Sequence, residues 1–123
     1  MKRESGAGVS GIRRYGESRR WADVVVHAGV ARWVEVAEDT SQGARGQITQ
    51  VLAQIDATLA GVGSDRTRLL EILVFLADDA DRETFNAAWD EWVPEGHAPV
   101  RAMVRAGLGG VCRVELVVTA AAD

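Results

Sequence analysis

The chain has 123 residues, 47% hydrophobic and 26% charged, which suits one globular domain and leaves no room for a two-lobed cofactor enzyme. Fourteen Lys and Arg against eighteen Asp and Glu give a formal net charge of -4, the wrong sign for binding nucleic acid or an anionic membrane by phosphate neutralisation. Folding at this size buries only roughly two-thirds of the extended surface, so association of copies is the simplest way to wall in a deep pocket.

Residues 1–9, rich in Gly and Ser, read as a flexible N-terminal arm, and residues 10–123 as a single domain. The string from Gly6 to Gly11 spells GxGxxG, but no strand precedes it and a strand follows, so it reads as arm rather than dinucleotide loop. Ile12–Tyr15 suits a short edge strand. The β-branched and aromatic runs Asp23–Ala28 and Val30–Val36 break at Ala28-Gly29, the pattern of a tight hairpin. From Ser41 to Leu59, Ile48, Val51, Leu52, Ile55 and Leu59 form one helical stripe, with Asp39 or Ser41 as cap and Gly61-Val62-Gly63 as stop.

Leu69–Ala77 is apolar except at Glu71, and its length favours a strand although periodicity does not separate it from a helix. Helical spacing returns through Phe85, Trp89 and Trp92, with Asp81 ahead as cap and Pro94 and Gly96 behind. Val100–Ala106 and Val111–Thr119 read as two further strands around a glycine-rich turn. In the last one Cys112, Val114, Leu116 and Val118 share a face, which marks it as central. The order implies crossover connections and a mixed sheet with helices on one face.

Few side chains carry an obvious chemistry. His27 and His97 have no partner at metal-ligand spacing, and Cys112 stands alone, so neither a metal site nor a disulfide is expected. A single cysteine, no apolar leader and no run of about 18 apolar residues fit a cytoplasmic protein that is neither secreted nor membrane-spanning. Arg13-Arg14 and Arg19-Arg20 beside Trp21 could stack on a base, but Glu17 and Asp23 interrupt the patch. Trp89 and Trp92 read as core or subunit interface. Arg101 and Glu115 interrupt apolar stretches; by spacing alone they are outward-facing strand residues.

The motifs around these two residues carry a resemblance. Arg20-Trp21-Ala22-Asp23, Leu52-Ala53-Gln54-Ile55-Asp56, Phe75-Leu76-Ala77-Asp78 and Asn86-Ala87-Ala88-Trp89 are followed by Gly96-His97-Ala98-Pro99-Val100-Arg101, Ala106-Gly107-Leu108 and Val114-Glu115-Leu116. In this order they resemble the RidA family, also called YjgF, and within it the YoaB-like members. The resemblance implies a chorismate-mutase-like α+β fold, a mixed sheet with two helices packed on one face, assembled as a trimeric barrel with ligand clefts between subunits. It makes Leu69–Ala77 a strand and inserts the final strand inside the sheet rather than in a hairpin with Val100–Ala106.

RidA proteins hydrolyse reactive enamines and imines, such as 2-aminoacrylate, to 2-keto acids and ammonia without a metal or cofactor. The resemblance therefore implies a small 2-imino or 2-keto acid as ligand. Arg101 matches the arginine that grips the substrate carboxylate, a bidentate role lysine does not fill. Glu115 matches the glutamate that holds or activates water. Asn86 matches a cleft asparagine, main-chain groups near Met103 match those that fix substrate and water, and Trp21 stands where many members have tyrosine. At Val34 and Glu35 the family commonly has Ser or Thr followed by Gly. The hydroxyl is thus lost, and Glu35 is expected to bring a negative charge towards the cleft and oppose an anion. A non-catalytic trimeric binder of small carboxylates is the alternative, with an endoribonuclease, as some relatives are described, behind it.

Overall fold

The computed structural model describes residues 11–123, so the expected arm and the GxGxxG string as far as Ser10 lie outside the described residues. Strands β1 (Arg13–Tyr15), β2 (Val24–His27) and β3 (Val30–Val36) open the fold as an antiparallel meander. Alternation sets its register: Val24, Val26, Ala31, Trp33 and Glu35 turn to the buried side, and Arg32, Val34 and Val36 to the other. The β2–β3 turn is Ala28-Gly29, both at positive φ (52° and 77°), which a two-residue turn needs if its twist is to match the strands. Gly16 is required sterically. A Cβ there would lie 2.7 Å from the Asp23 side chain and 2.9 Å from its backbone nitrogen.

Helix α1 (Ala44–Gly61) follows, then β4 (Leu69–Leu76), α2 (Arg82–Trp92), β5 (Val100–Arg105) and β6 (Val114–Ala121). The sheet has six strands in the order β1-β2-β3-β6-β4-β5. β6 pairs antiparallel with both β3 and β4, and β4 runs parallel to β5. A parallel pair needs a crossover, which α2 supplies. This is the mixed sheet with two helices on one face that the sequence implied, with the last strand inside it. Val114, Leu116, Val118 and Ala120 are fully buried there.

The core lies between that sheet face and the helices. From α1 it takes Ile48, Val51, Leu52, Ile55 and Leu59, the stripe expected from their spacing, and from α2 Phe85, Trp89 and Trp92. The α2 aromatics form a continuous stack, with ring centroids 5.9 Å apart for Phe85–Trp89 and 5.5 Å for Trp89–Trp92.

Three local expectations are corrected. The first helix begins at Ala44 behind Gly43 with no side-chain cap, because the Asp39 carboxylate is used within its own loop, by the Ser41 N–H at 3.0 Å and hydroxyl at 2.6 Å. Asp81 occupies the N-cap position of α2, as expected, but its side chain makes no cap hydrogen bond. Its carboxylate instead takes Arg113 Nη2 at 2.9 and 3.1 Å. The last strand starts at Val114 rather than Val111, so Cys112 is half-buried in the turn before it. Buried Gln47 on α1 holds that turn: its Nε2 donates to the carbonyls of Gln42 (2.9 Å) and Val111 (3.0 Å), and its Oε1 accepts from the Arg113 N–H (2.8 Å).

Candidate functional site

The residues singled out from sequence fall into two groups on one chain. Glu115, near the start of the central strand β6 and on its open face, pairs in register with Val36 at the end of β3 and Phe75 near the end of β4. It borders a concavity of about 500 Å³ that is also lined by Trp21, Asp23, Val34, Glu38 and Gln54. Trp21, in the β1–β2 connection, is 65% exposed and Val34 is 54% exposed, so an indole and an isopropyl group present apolar surface at the rim. Among the described residues, no hydrogen bond or ion pair occupies the Glu115 carboxylate.

Arg101, Asn86 and Met103 form the second group. Arg101 pairs with Ile72 and Met103 with Val74, and those partners are fully buried on the helix side, so strand parity turns Arg101 and Met103 towards α2. There Arg101 Nη1 donates to Asn86 Oδ1 at 2.8 Å. Its guanidinium carbon lies 5.2 Å from the Trp89 ring centroid. The Met103 carbonyl faces Arg82, whose Nη2 approaches to 3.4 Å.

Arg101 and Glu115 therefore project from opposite faces of the sheet. Two strand spacings separate β5 from β6, about 10 Å across the sheet, and the register adds a similar distance along it. No small ligand touches both side chains within one chain.

Glu35 also lines the concavity, but its carboxylate is engaged by the protein. Alternation along β3 puts its side chain with Trp33 on the helix side, 8% exposed. Oε1 accepts from Trp33 Nε1 at 3.0 Å and Thr58 Oγ1 at 3.2 Å, and Oε2 from Gln54 Nε2 at 3.0 Å. Three neutral donors satisfy this carboxylate beneath α1. Gln54 also donates to the Val36 carbonyl at 2.7 Å and accepts from the Glu38 N–H at 3.1 Å, so the same amide pins the exit of β3, which forms one wall.

Comparison with known proteins gives this geometry its context. A family model described as Endoribonuclease L-PSP matches residues 7–122. The chain belongs to the RidA/YjgF family. A RutC family protein, YoaB, of Escherichia coli is 44% identical over 97 residues, 79% of this chain and 85% of that one. A RutC family protein of Haemophilus ducreyi is 40% identical over 112 residues, 89% of this chain and 96% of its own. Among solved structures, an uncharacterized Pseudomonas aeruginosa protein superposes with a TM-score of 0.87 at 38% identity, covering 91% of this chain and 99% of that one. A YjgF family member from Neisseria meningitidis gives 0.85 at 37% identity, covering 91% and 95%.

Within this RidA/YjgF chain, sequence reasoning passed over two features of the site. Trp89, read as core or subunit interface, is indeed in the core, and its face also carries Arg101; the signal available was its position three residues after Asn86, which puts both on one side of α2. Two of the donors around Glu35, Gln54 and Thr58, lie on α1 and had no local signature, whereas the third, Trp33, sits two residues away on the same face of β3. No helix among the described residues is long and apolar enough to cross a membrane. Nor do three or more His, Cys, Asp or Glu side chains among them converge as metal ligands.

Proposed function

We propose that the protein hydrolyses small 2-imino acids to 2-keto acids and ammonia, in clefts formed between copies of the chain in a cytoplasmic homotrimer. The observation that carries this reading is the division of the two key groups. Arg101 presents its guanidinium on one face at the β5 edge, and Glu115 presents an unengaged carboxylate on the other. Two such half-sites become one site only when the Arg101 group of one copy meets the Glu115 concavity of another.

The chemistry then follows from the side chains. Arg101 holds the ligand carboxylate through paired charge-assisted bonds, which orients the neighbouring imine carbon. Glu115 accepts a proton from water as its oxygen bonds to that carbon. The C=N π pair moves to nitrogen, which takes that proton and gives a carbinolamine; the remaining hydroxyl proton then passes through Glu115 to nitrogen, the C–N bond breaks with its electron pair on nitrogen, and the carbonyl forms as ammonia departs. Water is the only co-reactant, and no electron is transferred.

A non-catalytic carboxylate binder is the second reading, favoured by Val34, which offers no hydroxyl at the rim. The name of the family model raises RNA cleavage. Asp23, Glu35, Glu38 and Glu115 line the concavity, with no Lys or Arg among its described lining residues, so it offers no row of cations to neutralise a phosphate backbone, whereas a single carboxylate needs only Arg101. The deciding experiment generates imines from several amino acids in situ with an amino-acid oxidase and measures keto-acid release. Release faster than the uncatalysed rate supports the hydrolase. Binding of keto acids without acceleration of any imine tested replaces it with the binder, and salt-sensitive RNA cleavage replaces both.

A further inference from the structure

Two arginines in this protein lie over tryptophan rings of α2, and they do so in the same way. The Arg66 guanidinium carbon is 5.1 Å from the Trp92 ring centroid. Its Nη1 donates to the Trp92 carbonyl at 2.9 Å, and its Nε and Nη2 grip the Asp56 carboxylate through two bonds of 2.7 Å. The Arg101 carbon is 5.2 Å from the Trp89 ring centroid, and its Nη1 donates to the side-chain amide oxygen of Asn86 at 2.8 Å. In each case an indole face carries the cation and an amide-type oxygen takes Nη1, which leaves the Nε–Nη2 edge to meet an acceptor side-on.

At Arg66 that acceptor is a carboxylate of the protein, and its hydrogen bonds push the Arg66 guanidinium further up from its ordinary value. At Arg101 the same edge has no hydrogen-bond acceptor among the described residues, and the residue is exposed. The platform beneath it is rigid. Trp89 is 6% exposed and held between Phe85 and Trp92. An arginine on an exposed edge strand would otherwise sample many rotamers, and ordering it on binding would cost affinity.

We propose that Trp89 is a positioning residue for the ligand: with Asn86 it fixes the plane of Arg101 so that the Nε–Nη2 edge receives a carboxylate side-on, as Arg66 on Trp92 receives Asp56. This rests on the reading of Arg101 as the carboxylate anchor, and extends it to a residue that sequence assigned to the core. The arrangement favours ligands with a planar carboxylate at the end nearest α2.

The test titrates the full-length protein with pyruvate and with pyruvamide, which lacks the carboxylate, for wild type, Trp89→Phe, Trp89→Leu and Arg101→Lys. Circular dichroism and light scattering on each variant check fold and assembly. Wild type is expected to prefer pyruvate. Trp89→Leu should lose about tenfold in pyruvate affinity with little change for pyruvamide, and Trp89→Phe should lie between, since the smaller ring is the weaker cation platform. A purely structural tryptophan would lower stability without moving the pyruvate-to-pyruvamide ratio. If Trp89→Leu does not fold, Trp89→Phe carries the comparison. Loss of the ratio in Arg101→Lys but not in the folded Trp89 variants overturns the role of Trp89 alone. Its survival in Arg101→Lys, or no preference for pyruvate in wild type, overturns the anchor reading itself.

Discussion

Glu115 and Glu35 are carboxylates on neighbouring strands, paired one residue apart in register, and the pleat sends them to opposite sides of the sheet. The Glu115 carboxylate has no hydrogen-bond partner among the described residues, whereas that of Glu35 has three donors. The two should respond differently to the same conservative change. Glu115→Gln keeps an acceptor for water but no longer takes its proton, so keto-acid binding should survive while imine turnover falls by about 10²- to 10⁴-fold. Equal loss of binding and turnover would assign Glu115 to the fold instead. Glu35→Gln puts an NH₂ group against Gln54, or against Trp33 and Thr58, where an acceptor is needed. It should cost about 1–2 kcal/mol in denaturant unfolding. It should leave anion affinity unchanged, since the charge removed faces α1. A clear gain in affinity for pyruvate would show that Glu35 acts on the ligand after all.

The helices owe their positions to polar side chains as much as to the apolar stripe. Gln50 and Gln54, one turn apart on α1, each bond backbone of the β3–α1 loop at Asp39, and at Val36 and Glu38, respectively. Gln47, a turn earlier, ties α1 to the turn before β6. Gln47→Leu keeps the volume but removes the partner of two carbonyls and an N–H in a part-buried turn, so it should destabilise the domain by about 1–2 kcal/mol. Urea unfolding measures this, and a change below about 0.5 kcal/mol would mean that water replaces the amide. Acid acts on the connecting turns. Hydrogen bonds from the Ser41 and Thr67 hydroxyls, and then from their N–H groups, hold the Asp39 and Asp65 carboxyls below the ordinary carboxylate value. The stability they add is thus fully present above the unfolded-state value and lost as pH falls through the lower folded-state values.

On the sheet face away from the helices, Val34, Val36, Val100 and Val104 are 54%, 41%, 69% and 47% exposed. An apolar sheet face that none of the described residues covers is a surface for association. If the proposed site is assembled from two half-sites, the same contact covers this face and completes the cleft. Light scattering at micromolar concentration should therefore give three times the mass of the chain, with more than about 1,000 Å² buried per pair. A monomer that nonetheless hydrolyses imines would break the link between assembly and site. Val104→Asp, on the open face and outside the candidate site, should lower both the assembled fraction and the activity.

The elements themselves were legible in the sequence because each rests on local physics: the 3.6-residue stripe of α1, the alternation of β2 and β3, and the Ala28-Gly29 turn whose backbone only a few residues adopt cheaply. Motif order carried the family, and with it the place of β6 between β3 and β4, which periodicity alone does not determine. What the sequence left open are matters of which partner a polar group finds. Asp39, Asp81 and Glu35 are each capable of capping a helix or facing a ligand. Asp39 instead takes donors within its own loop, while Asp81 and Glu35 meet donors brought in by Arg113 and by α1, and a buried carboxylate takes the donors within reach. The separation of Arg101 from Glu115 onto opposite faces is of the same kind. Fourteen positions apart along the chain, they are related only through the pairing of β5, β4 and β6, and that register exists only in the folded sheet.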